Sequence, residues 1–403
     1  MRGVCNISLI LALIAVILQL SGCNSQTVRA AAVETPIVAP KPIPEHLLLD
    51  VGVKIFDPGF EYLDEEKSLT TPSVRKAEGV HAARNVTQTL KRTGNWGSVQ
   101  IIPTGQNETD VYVAGQIVNS DGETLTVKVT VTDSANNKWY TRSYTDKLSQ
   151  YAYDPTLRQK QEPFQRLYND IANDMEQYIR RIEPKEREKL RVVSKLRFAQ
   201  RFAPNDYNDF LEIDSGGKYT LKHAPANGDP IMAHIDSIRI RDQMFIERLQ
   251  DYYENFNRRM QIPYDQWREA SYHETKALRK IKKESTVRKI GGALAVIAGI
   301  FAQGSSSHAT RTAGVLGIGG GAYMFKSGLD RGSEARLHEE GLKEMADSLG
   351  AEISPHTIAL EDKTVTLSGT VDEQYAQWRN ILNEIYLIET GQQPGPGELN
   401  PQQ

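Results

Sequence analysis

The chain has 403 residues with 48 Lys and Arg against 51 Asp and Glu, and its only cysteines are Cys5 and Cys23. So balanced a charge argues against a nucleic-acid partner, and two cysteines can build neither a disulfide framework nor a thiolate metal cage. The length exceeds one ordinary core and predicts two or three modules.

Arg2 is followed by an apolar run from Ile7 to Leu20, interrupted only by Ser8 and Gln19, which closes on Leu20, Ser21, Gly22 and Cys23. A basic start, an apolar stretch and small residues predict an export signal over residues 1–22. The run falls short of the about 20 residues that span a bilayer, so it reads as a removable signal and not as a permanent span. Leu20-Ser21-Gly22-Cys23 resembles the lipobox of bacterial lipoproteins. That resemblance implies recognition by a signal peptidase through Leu20, Ser21 and Gly22, cleavage before Cys23, and a thioether-linked diacylglycerol plus an amide-linked acyl chain on Cys23. The expected partner is therefore membrane lipid, and several chains on one residue, at about 0.8 kcal/mol per buried methylene, make a durable anchor. Asn24 stands where the family's inner-membrane retention signal has Asp, which implies the outer membrane, facing the periplasm. An ordinary secretory signal with an incidental cysteine is the competing reading. Loss of residues 1–22 removes Arg2 and Cys5, leaving a formal charge of −4 and no possible internal disulfide.

Residues 23–45 are rich in Ala, Val and Pro, with prolines at 36, 40, 42 and 44, and read as an extended tether. Residues 46–150 read as an α+β domain. An apolar strand from Leu47 to Phe56 stops at Asp57-Pro58-Gly59, and a helix carries Val74, Ala77, Ala83, Val86 and Leu90 up to Gly94. Val99–Pro103 and Val111–Ile117 are further strands. Leu125, Val127, Val129 and Val131 then alternate with Thr and Lys, a strand with one dry face. The last strand is Lys138–Tyr144. This order of elements resembles the small α/β domains of periplasmic assembly lipoproteins, including the curli-secretion and TolB amino-terminal types.

Residues 155–289 have helical periodicity. Phe164, Leu167, Tyr168, Ile171, Met175, Tyr178, Ile179 and Ile182 share one face, and Pro184 opens a second helix with Leu190, Val193, Leu196 and Phe202. The stretch between Pro204 and Pro230 reads as irregular. A helix with Ile235, Ile238, Phe245, Leu249, Tyr252 and Phe256 follows, with Asp242 at its seam, and then another with Tyr264, Trp267, Leu278 and Ile281. Packing within one chain explains these faces better than a coiled coil between chains, because the 3,4 pattern is short and carries a charge.

Residues 290–327 hold two uncharged runs, Ile290–Phe301 and Thr312–Phe325, joined by a polar loop. Gly291, Ala295 and Gly299 are four apart, as are Ala313, Gly317 and Gly321, so each run as a helix shows a flat stripe suited to close packing. The pair resembles the glycine-zipper segments of bacterial envelope proteins. Three placements stay open: a membrane-inserted or re-entrant hairpin, a hairpin buried in a soluble body, and a surface for self-association. The match of Gly317–Ala322 to a dinucleotide fingerprint lacks the preceding strand that such a site needs, and no cofactor is expected.

Residues 333–390 read as a small αββα module. A helix with Leu337, Leu342, Met345 and Leu349 precedes strands at Ile353–Leu360 and Thr364–Val371, and Tyr375, Trp378, Ile381, Leu382 and Ile385 lie on a final helix. Lys363–Val371 resembles the core strand of the BON domain, an envelope module associated with phospholipid surfaces, with matches at Val365, Leu367, Gly369 and Val371. The further strand usual in that family is missing before the polar tail, residues 391–403, which is expected to be disordered.

His273-Glu274 starts a zincin-like pattern, but Ala277 occupies the place of the second histidine, and neither a nucleophile elbow nor a Walker lysine occurs. The expected function is a non-enzymatic, lipid-anchored envelope protein with a structural role or a membrane- or partner-binding one. The alternative is an accessory subunit of an oligomeric secretion or transport assembly.

Overall fold

Five strands form one mixed sheet in a computed structural model that describes residues 35–63, 70–105, 108–149, 152–153, 162–288, 343, 355–359 and 364–391. They are β1 (Val51–Lys54), β2 (Val99–Ile102), β3 (Val111–Ser120), β4 (Thr124–Asp133) and β5 (Lys138–Lys147), in the order β2-β1-β3-β4-β5. β1 lies parallel to both β2 and β3, while β3, β4 and β5 run antiparallel. The period-two pattern of β4 places Leu125, Val127, Val129 and Val131 in the core. Its outer face pairs hydroxyls with β5, Thr126 with Thr145 at 3.0 Å and Thr130 with Thr141 at 2.9 Å.

Helix α1 (Pro72–Thr93) links the parallel strands β1 and β2. Thr71 caps its start by accepting from the Val74 N–H, Pro72 suits the first turn, and Gly94 ends it at φ +65°. Gly79 lets the helix touch the sheet layer, because a Cβ there would stand 2.4 Å from the Phe56 carbonyl oxygen. Helix α2 (Gln165–Ile179) packs on β5, and Trp139 stacks on Tyr178 at 4.7 Å. Then come α3 (Pro184–Phe202), the single turn α4 (Pro204–Tyr207) and a hairpin of β6 (Leu211–Ile213) and β7 (Tyr219–Leu221). The stretch expected to be irregular is thus partly ordered, with Asp214 accepting from the Gly216 and Lys218 N–H groups to close its turn.

Helix α5 (Pro230–Arg288) runs 59 residues, about 88 Å at 1.5 Å per residue. The two helices expected here are one. Pro263 lies inside it, and the carbonyl it leaves without a donor belongs to Arg259, an exposed residue where water can serve. A second two-stranded hairpin, β8 (His356–Ala359) with β9 (Thr364–Leu367), precedes α6 (Val371–Thr390). Val371, expected in the strand, opens the helix because Thr370 and Glu373 form a capping box.

These elements belong to an α+β fold. One hydrophobic cluster runs from Leu49 through α1, α2, α3 and α5 to Tyr386, so segments expected to be separate modules share a core. Among the described residues no helix is long and apolar enough to cross a membrane.

The edge of β2 is closed by a side chain. Gln250 of α5 accepts from the Ile101 N–H at 2.9 Å and donates to the Ile101 carbonyl at 2.8 Å, the two bonds a neighbouring strand would make. Ile101 is 2% exposed. Gln250→Ala is therefore expected to cost about 2–3 kcal/mol by urea denaturation. A loss under about 0.5 kcal/mol would mean that water replaces the amide.

Candidate functional site

Leu20, Ser21, Gly22 and Cys23 lie outside the described residues, as do Gly291, Ala295, Gly299, Ala313, Gly317 and Gly321. The described body shows how the chain arrives from the first group and leaves toward the second. On arrival it forms an extended strap. The Ile37 N–H donates to Asn173 Oδ1 at 2.7 Å and the Ala39 N–H to Asn95 Oδ1 at 2.7 Å, while Asn95 Nδ2 donates to the Ile37 carbonyl at 2.8 Å. Arg191 of α3 donates to the carbonyls of Glu45 and Leu48. Side chains thus satisfy a backbone that has no ladder partner, and the stretch expected to be tether is on the body from Ile37 onward. On departure, α5 continues to Arg288, two residues short of the apolar run at Ile290.

The densest chemistry lies where α1, α5 and the residues before α2 meet. Arg75, Glu78 and His81 of α1 are 2–4% exposed, and Arg268 of α5 is 2% exposed. Glu162 accepts two hydrogen bonds from Arg268 and lies 3.2 Å from His81 Nε2, whose Nδ1 is 3.0 Å from Asn257 Oδ1. Asp265 takes a further bond from Arg268, whose guanidinium lies 4.5 Å from the centre of the Tyr264 ring. Glu78 Oε1 accepts from Ser120 and from the Tyr264 hydroxyl at 3.0 Å.

Burial by itself would raise the Glu162 carboxyl, but Arg268 and then His81 outweigh it and hold it well below the usual carboxylate range. Glu78 goes the other way, because burial outweighs Arg75, Ser120 and Tyr264 and raises it. Arg75 Nε stands 3.9 Å from Glu78 Oε2, and neither atom has a hydrogen-bond partner. Glu162 and Glu78 thus shift in opposite directions within one cluster. Chemically it is a clamp that ties α1, α5 and the residues before α2 to one another.

Comparison with protein-family models, curated proteins and solved structures finds no match to this chain. Among the described residues no group of three or more His, Cys, Asp or Glu is placed to hold a metal, and His273 stacks edge-on against Tyr272 at 5.3 Å.

Sequence reasoning missed the clamp. One signal was visible: Arg75, Glu78 and His81 recur every third residue among the apolar positions of α1, where a solvated face would put its charges elsewhere. The two carboxyls should respond differently to neutralisation. Glu162→Gln leaves the Arg268 charge short of its main partner and is expected to cost about 3–5 kcal/mol at pH 7 in chemical denaturation. Glu78→Gln, which can still accept from Ser120 and Tyr264, is expected to cost about 1 kcal/mol or less. Equal losses would remove the distinction.

Proposed function

We propose that the protein is a non-enzymatic, lipid-anchored component of the bacterial cell envelope, with a structural or a membrane- and partner-binding role at the periplasmic face of the outer membrane. The observation that carries this reading is the apolar run that closes on Leu20-Ser21-Gly22-Cys23, directly before a Pro-rich stretch. Acyl chains on Cys23 would hold the mature chain to lipid, and Asn24 favours the outer membrane. The strap supports the reading, since it takes hold of the chain 14 residues beyond Cys23 and makes a defined attachment point for the body.

A second attachment is proposed for residues 290–327, which follow directly on α5. The small residues Gly291, Ala295 and Gly299, with Ala313, Gly317 and Gly321, give the two runs faces that can pack closely in lipid. The same spacing favours a second reading, in which these faces join copies of the chain in an oligomeric secretion or transport assembly.

The test uses Cys23→Ser in the full chain. It is expected to abolish lipid labelling and leave the signal uncleaved, whereas the unaltered chain is labelled and fractionates with the outer membrane. Normal labelling of the variant would sink the anchor. Mass of the unaltered lipoprotein in mild detergent separates the two readings, because a defined ring or oligomer supports the assembly subunit and a monomer the simple anchor.

A further inference from the structure

Helix α6 closes on α5 around one buried carboxyl. Asp242, in the fourth turn of α5, is 2% exposed. Its Oδ2 accepts from the Tyr375 hydroxyl of α6 at 3.3 Å, and its Oδ1 has no hydrogen-bond partner. The surroundings are aromatic, with Phe245 stacked on Trp378 at 5.2 Å and on Tyr375 at 6.3 Å. A crevice beside Asp242, lined by Asp50, Gln100, Glu108, Arg239 and Gln243, has about 20 Å³ open to the centre of a water molecule, room for roughly one.

We propose that this α5–α6 seam is a proton-operated latch, in which a proton on the unpartnered oxygen of Asp242 seats α6 and its loss loosens the helix.

The charged groups facing Asp242 make the ionised form costly. Glu108, from the connection between β2 and β3, repels it, while Arg201 of α3 is already engaged with Glu108. Arg379 of α6 attracts it, but that guanidinium donates to the Gly105 carbonyl at 3.2 Å and lies 6.0 Å from the Tyr375 ring centre. Burial first and Glu108 second push the Asp242 carboxyl up to about 7. Away from α6 the carboxyl would be hydrated and titrate near its ordinary value of 3.8. The closed seam thus binds the proton more tightly than the open one between about pH 4 and pH 7. Opening rises as pH climbs through that window, by at most about tenfold per pH unit for one proton, and levels off above it.

One group at the seam opposes this. His356, the first residue of β8, lies with Nε2 2.9 Å from Arg248 Nη1, a contact in which only a neutral ring can accept. Burial and then Arg248 lower its pKa from 6.5, so acid weakens that contact. Polar ties among the described residues include the Thr104 N–H to Asp372 at 2.8 Å, Arg241 to Glu389 at 2.7 Å and His234 to Glu389 at 3.9 Å.

The experiment is hydrogen exchange of α6 backbone amides in the full chain, corrected for intrinsic rates and referred to β3 and β4, from pH 5 to pH 7. His356→Gln removes the opposing group, and in that chain the α6 opening constant is expected to rise at least about tenfold over the range. Adding Asp242→Asn should flatten the rise. An opening constant constant within twofold in His356→Gln, or a rise that survives Asp242→Asn, would overturn the latch. A second measurement does not depend on how any variant folds. The ¹³C shift of the Asp242 carboxyl in the unaltered chain should turn over near pH 7, and a transition below pH 5 would equally overturn it.

Discussion

Taking the Arg268 guanidinium out of water obliges the rest of the body to come to it. An uncompensated buried cation costs several kcal/mol, and here the compensation is drawn from Glu162, before α2, and Asp265, one turn back on α5. Glu162 in turn meets His81 of α1, and Tyr264 reaches Glu78 on the same helix. A long amphipathic helix packed only through apolar ridges could slide along its groove by one turn at modest cost. With this clamp such a slide would part Arg268 from Glu162 and Tyr264 from Glu78. The ion cluster therefore fixes register, a task that hydrophobic burial performs poorly because it has no direction.

Register on α5 is fixed at more than one level. Asp242 meets Tyr375, Gln250 closes the edge of β2, Asn257 meets His81, and Thr275 donates to the Asp121 carbonyl at the β3–β4 turn. Gly122 in that turn has φ +77°, and a Cβ there would come within 2.6 Å of the Tyr272 nitrogen. The sheet is thus held against one helix from its β2 edge to its far turn. Continuity of α5 through Pro263 makes this possible, since a break would have let the two halves settle independently.

What the amino-acid sequence discloses follows the range of the forces involved. The alternation in β4, the apolar face of α2 and the Thr71, Pro72 and Gly94 signals of α1 are local, and each predicts its element. The capping box at Thr370 and Glu373 was equally local, but the run of Val, Thr and Leu before it drew Val371 into the strand. The clamp joins residues more than 80 positions apart, and no spacing announces that Glu162 and His81 will meet. Asn95 and Gln250 were harder still, because each uses a side-chain amide where a strand would use its backbone. The proposed anchor is the reverse case. Its recognition by processing enzymes is itself a reading of sequence, so Leu20 to Cys23 carry the signal without any fold.

Several buried carboxyls of the body shift in opposite directions. Glu162 is held low by Arg268 and His81, so its contribution is present above 4.5 and is lost only as pH falls through its depressed value. Glu78, Asp110, Asp133 and Asp146 are all raised, chiefly by burial, and Asp110 further by Asp50. Each of these favours the folded state most when protonated, and the advantage fades as pH rises from its ordinary value through its raised one. As pH falls through their raised values, protonation of these four sites therefore favours the folded state while Glu162 is still ionised. The direction each carboxyl takes depends on whether a charge partner outweighs burial: Glu162 is held down because Arg268 and His81 face it, whereas Glu78 is raised although Arg75 stands 3.9 Å away.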